Sequence, residues 1–472
     1  MQFGARFDNK SCIFTLLYYN PSKIPTMKKI IITFSLLFGF AAFAQDQFSG
    51  ISTSNRVGIL NGVVNPAEFA NLSKKFEVNV IGISFNVSNN KIGFSDLNSN
   101  NIEELIFTGT EPVNARFDGT ILGPSFAMKW LKWGFAVTTQ AHAKFDMVDV
   151  DPIIGNAITN NNLILNTTIL NNPNNQRLSG SSYGEVGLSA SRIIYETEKY
   201  QINAGATLKI LFPGSYSNFG LSQLDGTITQ NGTGAYLTTN SPATLNVAYS
   251  GNLAESFSNF SDYSKGIFGG LNGFSGDIGV NYRLKSIGGY KLNFGLSVRN
   301  IGSMTYKDNN NASSNYTLNI QPNLQNPQGL DLSVFQNVDN LSQVEQILRD
   351  QGYLTELPSE RKFKVKLPTS LCTYADFKII PKIYVTAYFQ RKLNKDDGNM
   401  QITVPNIFSI TPRVNLGFFE GYIPISNDDI SGTNVGLGFR LAGFYLGSSS
   451  IISSLADGKS ADIYTGYRIA FL

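Results

Sequence analysis

The sequence predicts an all-β chain closed into a transmembrane antiparallel barrel of about 14 strands, within a range of 12 to 16. Three observations predict it. Trp133 to Met147 alternates with period two: Trp133, Phe135, Val137, Ala141, Phe145 and Met147 share one face, and Thr138, Gln140, His142, Lys144 and Asp146 share the other. A strand this long with two unlike faces meets two unlike solvents, lipid outside and a wet lumen inside. Second, Tyr200 and Phe212 bracket a clean alternating run and lie 12 steps apart. That is about 40 Å of strand, or about 28 Å along the membrane normal at a 45° tilt, the height of an apolar band with aromatic rims. Third, short and long connections alternate along the chain, as short periplasmic turns and long extracellular loops would.

A leader precedes the barrel. Met27-Lys28-Lys29, the apolar run Ile30 to Phe40 and Ala42-Phe43-Ala44 form a signal peptide, with cleavage expected after Ala44. Residues 1–26 read as an extension upstream of the true start. Residues 45–75 are mixed in pattern and are expected on the periplasmic side or tucked into the barrel as a plug.

The wall then runs through strands at 76–88, 119–130, 133–147, 183–195, 200–212, 274–285, 290–301, 362–379, 382–393, 400–411, 413–423, 434–442, 444–452 and 461–472. In the first, the apolar set slips by one residue, which predicts a bulge at Gly82. Short turns are expected at 131–132, 196–199, 286–289, 380–381, 412 and 443. The extracellular insertion 302–361 carries one helix, capped by Asn340, with Gln343 at the box position, Leu341, Val344 and Leu348 on one face, and Gly352 at its end.

Composition narrows the function. Of 37 basic and 34 acidic residues, 1–44 hold five and one, so the remainder carries 32 against 33, a net −1. Nothing in that balance points to nucleic acid. Only Cys372 follows the leader, and His142 is the sole histidine, so neither a disulfide framework nor a zinc site is expected, and no cofactor. No enzyme is expected either. The inward residues Gln140, His142, Lys144 and Asp146 are the lumen-facing candidates for a functional site, with His142 as a general base the sharpest alternative to an ordinary hydrogen-bonded lumen side chain. Inward glycines Gly134, Gly205 and Gly295 leave room either for a plug or ligand or for closer strand packing.

Three short stretches carry a resemblance: Val64-Asn65-Pro66-Ala67, Leu296-Ser297-Val298-Arg299-Asn300-Ile301-Gly302-Ser303 and Lys366-Leu367-Pro368-Thr369, together with the ending Tyr464 to Phe471. They resemble an outer-membrane β-barrel family of unknown function from Bacteroidota, similar in outline to FadL-type fatty-acid transporters and to PorV-type barrels of type IX secretion. The resemblance implies a 14-stranded barrel with an N-terminal hatch in the outer membrane. It leaves two functions open: a conduit for small hydrophobic molecules, or a non-transporting barrel that docks an export-machinery protein or serves a structural role. Outer-membrane lipid is the expected surrounding in either case.

Overall fold

Fourteen antiparallel wall strands close on themselves in the computed structural model, which describes residues 48–472 apart from 55, 100, 160–165, 251–268, 288, 307–311 and 339. The leader expected at 27–44 lies outside the described residues. Several wall strands are interrupted. They are β1 (Phe76–Asn89), β2 (Val113–Leu122 and Ser125–Trp130), β3 (Trp133–Val150), β4 (Gln176–Glu196), β5 (Tyr200–Ser222), β6 (Ala243–Ser250 and Gly273–Ser286) and β7 (Gly289–Tyr306 and Ala312–Leu318). The rest are β8 (Leu354–Glu356, Phe363–Lys366 and Ser370–Ile380), β9 (Ile383–Lys392), β10 (Ile407–Asn415), β11 (Phe419–Tyr422 and Ile425–Asp428), β12 (Gly432–Val435 and Leu437–Leu441), β13 (Phe444–Ser448) and β14 (Ser460–Phe471). Closure comes from β14 on β1, in register from Phe76↔Phe471 to Ser88↔Ser460.

The period-two pattern sorts the side chains as expected for a wall between lipid and a polar interior. Val137, Leu208, Ile278, Val280, Phe294 and Phe408 are exposed outward, while Gln140, Asn203, Asn281, Asn293 and Ser409 are buried inward. Aromatic rings stack around the rim that carries the short turns: Trp133 on Phe135 at 5.9 Å, Tyr195 on Tyr200 at 5.7 Å, and Phe76 on Phe126 at 6.0 Å. Such belts sit where hydrocarbon gives way to headgroups.

Several boundaries differ from the sequence reading, each for a physical reason. The β1 bulge falls between Asn79 and Ile81, not at Gly82, so Val80 and Ile81 both face outward. Pro412 does not make a turn. It lies inside β10, directly beside the Ile423-Pro424 break in β11, so its missing N–H leaves no ladder partner stranded. The turn is Leu416-Gly417-Phe418 instead. Residues 400–406 are not strand: Pro405 precedes the true start at Ile407, and this stretch folds into the lumen. The insertion is narrower than 302–361, because β7 runs on through Tyr306 and resumes at Ala312–Leu318.

At the long-loop end β4 to β8 project beyond their neighbours, and an exterior layer covers their outward face. A four-stranded sheet (Asn166–Asn172, Leu224–Asn231, Gly234–Thr239, Leu330–Asp331) and the helices Pro152–Thr159 and Leu341–Asp350 bury Leu170, Ile228, Leu237, Leu245, Val247, Tyr316, Leu341 and Leu348 in one core. The second helix forms as its sequence dictates: Asn340 accepts the Gln343 N–H at 2.9 Å and Gly352 ends it at φ +76°. Its exposed face holds Arg349 on Glu345 and Tyr316, and burial with the Glu345 carboxylate pushes the Tyr316 phenol up to about 12.

Candidate functional site: the closed lumen

At the short-turn end the chain's own N-terminal segment packs against the inward faces of the wall strands. Gly58–Val64 forms a helix and Pro66–Asn71 a 3₁₀ turn, joined at Asn65. Asn65 caps that turn by accepting the Ala67 N–H at 3.1 Å, with Pro66 in the position where a missing N–H costs nothing. Its amide then donates to the Val280 carbonyl of β6 at 2.9 Å, and Ser297 of β7 donates to the Val64 carbonyl at 2.7 Å.

Glu68 is the centre of this contact. Its carboxylate accepts from Asn281 and Asn293, each at 2.8 Å, from Asn71 at 2.8 Å and from Tyr374, and it pairs with Arg283 at 3.2 Å. A carboxylate this deep is stable only because every oxygen is satisfied and a guanidinium balances the charge. On the other side of the segment, Glu77 accepts the Ile59 N–H at 2.8 Å and pairs with Arg468, and Glu420 accepts from Ser54 at 2.7 Å.

Gly134 and Gly205 explain how helix and wall come so close. A β-carbon on Gly134 would overlap the Phe69 carbonyl, and one on Gly205 would lie 2.6 Å from Pro66. Gly295 serves differently: it lies beneath the Tyr374 ring of the next strand. Gly134→Val is therefore expected to push the segment off the wall. Limited proteolysis of the purified variant should cut within 48–74, where the wild type resists; equal resistance would contradict this packing.

The long-loop end is closed by residues 394–406. This loop hangs inward from β9 and is held by wall side chains. Asn175 donates to the Asp397 carbonyl at 2.8 Å, Arg177 to the Gln401 carbonyl at 2.8 Å, Arg116 to Thr403 at 2.5 Å and Gln390 to the Pro405 carbonyl at 3.1 Å. Asn218 links the loop's Asn399 to Asn246, which in turn donates to Asn315, so an asparagine ladder crosses three wall strands. Met400 and Ile402 pack against Tyr183, Tyr216, Tyr306 and Phe363.

Between the two closures lies a small polar chamber. Gln140, His142 and Lys144 line it, together with Asp118, Glu185, Lys209, Arg299 and Asn300. Ion pairs between neighbouring strands line its wall: Lys144 with Asp118, and Lys209 with Glu185 at 3.4 Å and Asp277 at 3.0 Å. Gln140 donates to Glu185 at 2.7 Å. Asp146, the fourth sequence candidate, points inward but stands apart from the chamber, paired with Arg116 at 2.6 Å. His142 meets Thr120 at 3.0 Å through Nδ1, lies 3.8 Å from Glu185 through Nε2, and stacks 4.7 Å from Tyr183. The Thr120 hydroxyl beside it also lies 3.5 Å from Asp118. Among the described residues, no three His, Cys, Asp or Glu side chains gather as metal ligands.

Lys209 and Arg299 join His142 from strands distant in sequence, a meeting that no single stretch of the chain announces. The motif stretches held a further signal. Asn300 at φ +58° and Leu367-Pro368-Thr369 face each other across β7 and β8, with the Leu367 N–H donating to Gly302 at 3.1 Å and the Thr369 hydroxyl to Asn300 at 3.0 Å. They form one wall bulge, and Asn300, Pro368 and Ser370 of that bulge line the chamber.

Residues 66–449 match the family of unknown function DUF5723. The chain belongs to that family. No curated protein matches this DUF5723 chain. Among solved structures, it is similar to the Ralstonia pickettii toluene transporter TbuX, at 10% identity and a TM-score of 0.43, over 92% of this chain and 100% of that one. It is also similar to the P. putida toluene transporter TodX, at 11% identity and 0.42 over 87% and 94%, and to a Pseudomonas aeruginosa FadL homologue, at 8% and 0.40 over 91% and 98%. Likenesses this distant bear on neither the ligand nor the activity of the DUF5723 chain.

Proposed function

We propose that this protein is an outer-membrane β-barrel that does not transport through its lumen and instead acts as a docking barrel, with its exterior layer as the surface it offers to a partner. The observation that carries the reading is the double closure. Residues 48–74 fill one end, 394–406 fill the other, and ion pairs line the wall between. A conduit for small hydrophobic molecules needs an apolar path, and the chamber here is lined by Asp118, Lys144, Glu185 and Lys209. The exterior layer shares one hydrophobic core with the outward faces of β5 to β7, through Leu221, Leu245, Val247 and Tyr316, which makes it a rigid platform and not a set of loose loops.

Gentle extraction from native outer membrane followed by native mass spectrometry tests the reading. It expects a protein held in stoichiometric amount, lost when residues 224–239 are deleted, with nothing in the lumen. A stoichiometric small hydrophobe retained by the intact chain would overturn it in favour of a conduit.

A further inference from the structure

The rim at the short-turn end carries a charge surplus that the interior does not use. Inside this end, every described acid has its own arginine: Glu68 with Arg283 at 3.2 Å, Glu77 with Arg468 at 2.9 Å, Asp376 with Arg413 at 2.6 Å, and Glu420 with Arg440 at 3.2 Å. The lumen is thus balanced without help from the rim. Outside, six exposed lysines ring the same end, Lys74, Lys75, Lys132, Lys199, Lys291 and Lys382, against two exposed acids, Glu196 and Glu198. Both acids belong to one turn, where Glu196 pairs with Lys285 at 2.7 Å and more loosely with Lys132 at 3.8 Å, which leaves the other five rim lysines as the surplus.

The tips between these lysines are apolar. Leu131, Ile287 and Phe418 are 68–97% exposed in their turns, and Leu472 is exposed just after β14. Leu131 takes φ +53° and Lys382 φ +73°, a conformation in which glycine or asparagine is the ordinary residue. Turn geometry therefore does not ask for a leucine or a lysine at these positions. Immediately inside the tips lies the aromatic belt, where Arg192 stacks over Trp133 at 5.0 Å and Lys75 over Phe76 at 5.4 Å.

Apolar tips, aromatic rings and a ring of lysines at one depth match the layers of a membrane interface: acyl chain, glycerol region and phosphate. We infer that the short-turn rim is a binding surface for anionic phospholipid headgroups, with the lysines meeting the phosphates and the apolar tips entering the interface beside them. Zwitterionic headgroups carry a compensating cation and are held less well. The lipid shell at this end of the barrel is accordingly selected by charge, independently of anything the lumen or the exterior layer does.

This inference rests on the membrane reading, and its test separates the two. The full chain is reconstituted in nanodiscs of phosphatidylcholine with one quarter phosphatidylglycerol, and the lipids retained after transfer to detergent are read by native mass spectrometry. The wild type is expected to enrich phosphatidylglycerol about fivefold, with the enrichment falling in 0.5 M salt. The variant K132Q/K199Q/K291Q/K382Q should lose the enrichment, and K362Q/K364Q/K459Q, at the opposite end, should keep it. A chain that elutes without a nanodisc contradicts the membrane reading and this inference with it. A chain that inserts but enriches neither lipid, or whose rim variant enriches phosphatidylglycerol as the wild type does, contradicts this inference alone.

Discussion

Glu68→Ala destabilises the protein by about 3–5 kcal/mol, the cost of removing one partner from a buried ion pair. The substitution leaves Arg283 without its carboxylate and removes the acceptor of the Asn293 and Tyr374 donors in the lumen. Those groups belong to β6, β7 and β8, so the loss reaches the wall as well as the segment. Glu68→Gln is the informative companion. It keeps an acceptor for some of the donors but removes the charge that balances Arg283, and should fall between the wild type and the alanine variant. Heat-modifiable migration in detergent, scored as the temperature at which the folded band disappears, gives the order wild type, Gln, Ala. A Glu68→Ala chain as heat-resistant as the wild type would show that the segment is not bound through this carboxylate.

The second large effect falls on the exterior layer. Leu237→Asp places a carboxylate in a core formed with Leu170, Ile228 and Leu330, where no described cation stands ready to pair with it. The cost is at least about 3 kcal/mol, from lost apolar burial and from an unpaired buried charge. Leu237 belongs to the exterior sheet and to none of the 14 wall strands, so the damage stays local. Proteolysis is expected to cut within 166–172 and 224–239 while the barrel keeps its heat-modifiable band. Loss of that band together with the exterior layer would show that the two parts fold as one unit.

Much of the wall was legible because a strand writes its environment in steps of two. Trp133 to Met147 named its outward and inward faces residue by residue, and Tyr200 to Phe212 lies within the single strand β5. Gly134 and Gly205 marked a close approach but could not say of what; the answer, Phe69 and Pro66, lies more than 60 residues away. The failures share one cause. Met400-Gln401-Ile402-Thr403-Val404 alternates like a wall strand, yet its backbone bonds go to Lys366, Arg177 and the lumen side chains, a destination that periodicity does not encode. Pro412 looked like a breaker because its tolerance depends on the matching break at Pro424 one strand over. The exterior layer was visible only as one capped helix, since its sheet is assembled from three separate connections whose pairing is non-local. Likewise Gln140, His142 and Lys144 were readable as inward, whereas their partners Glu185 and Asp118 come from neighbouring strands whose register no single stretch reveals.

Ion conductance in planar bilayers tests the closed lumen most directly. The intact chain is expected to insert without stepwise conductance, because segment 48–74 and loop 394–406 each obstruct the lumen. A chain lacking both 48–74 and 395–402 should show discrete openings through the polar chamber that Lys144, Glu185 and Lys209 line. Stepwise conductance by the intact chain, comparable with that of the doubly shortened one, would contradict the account.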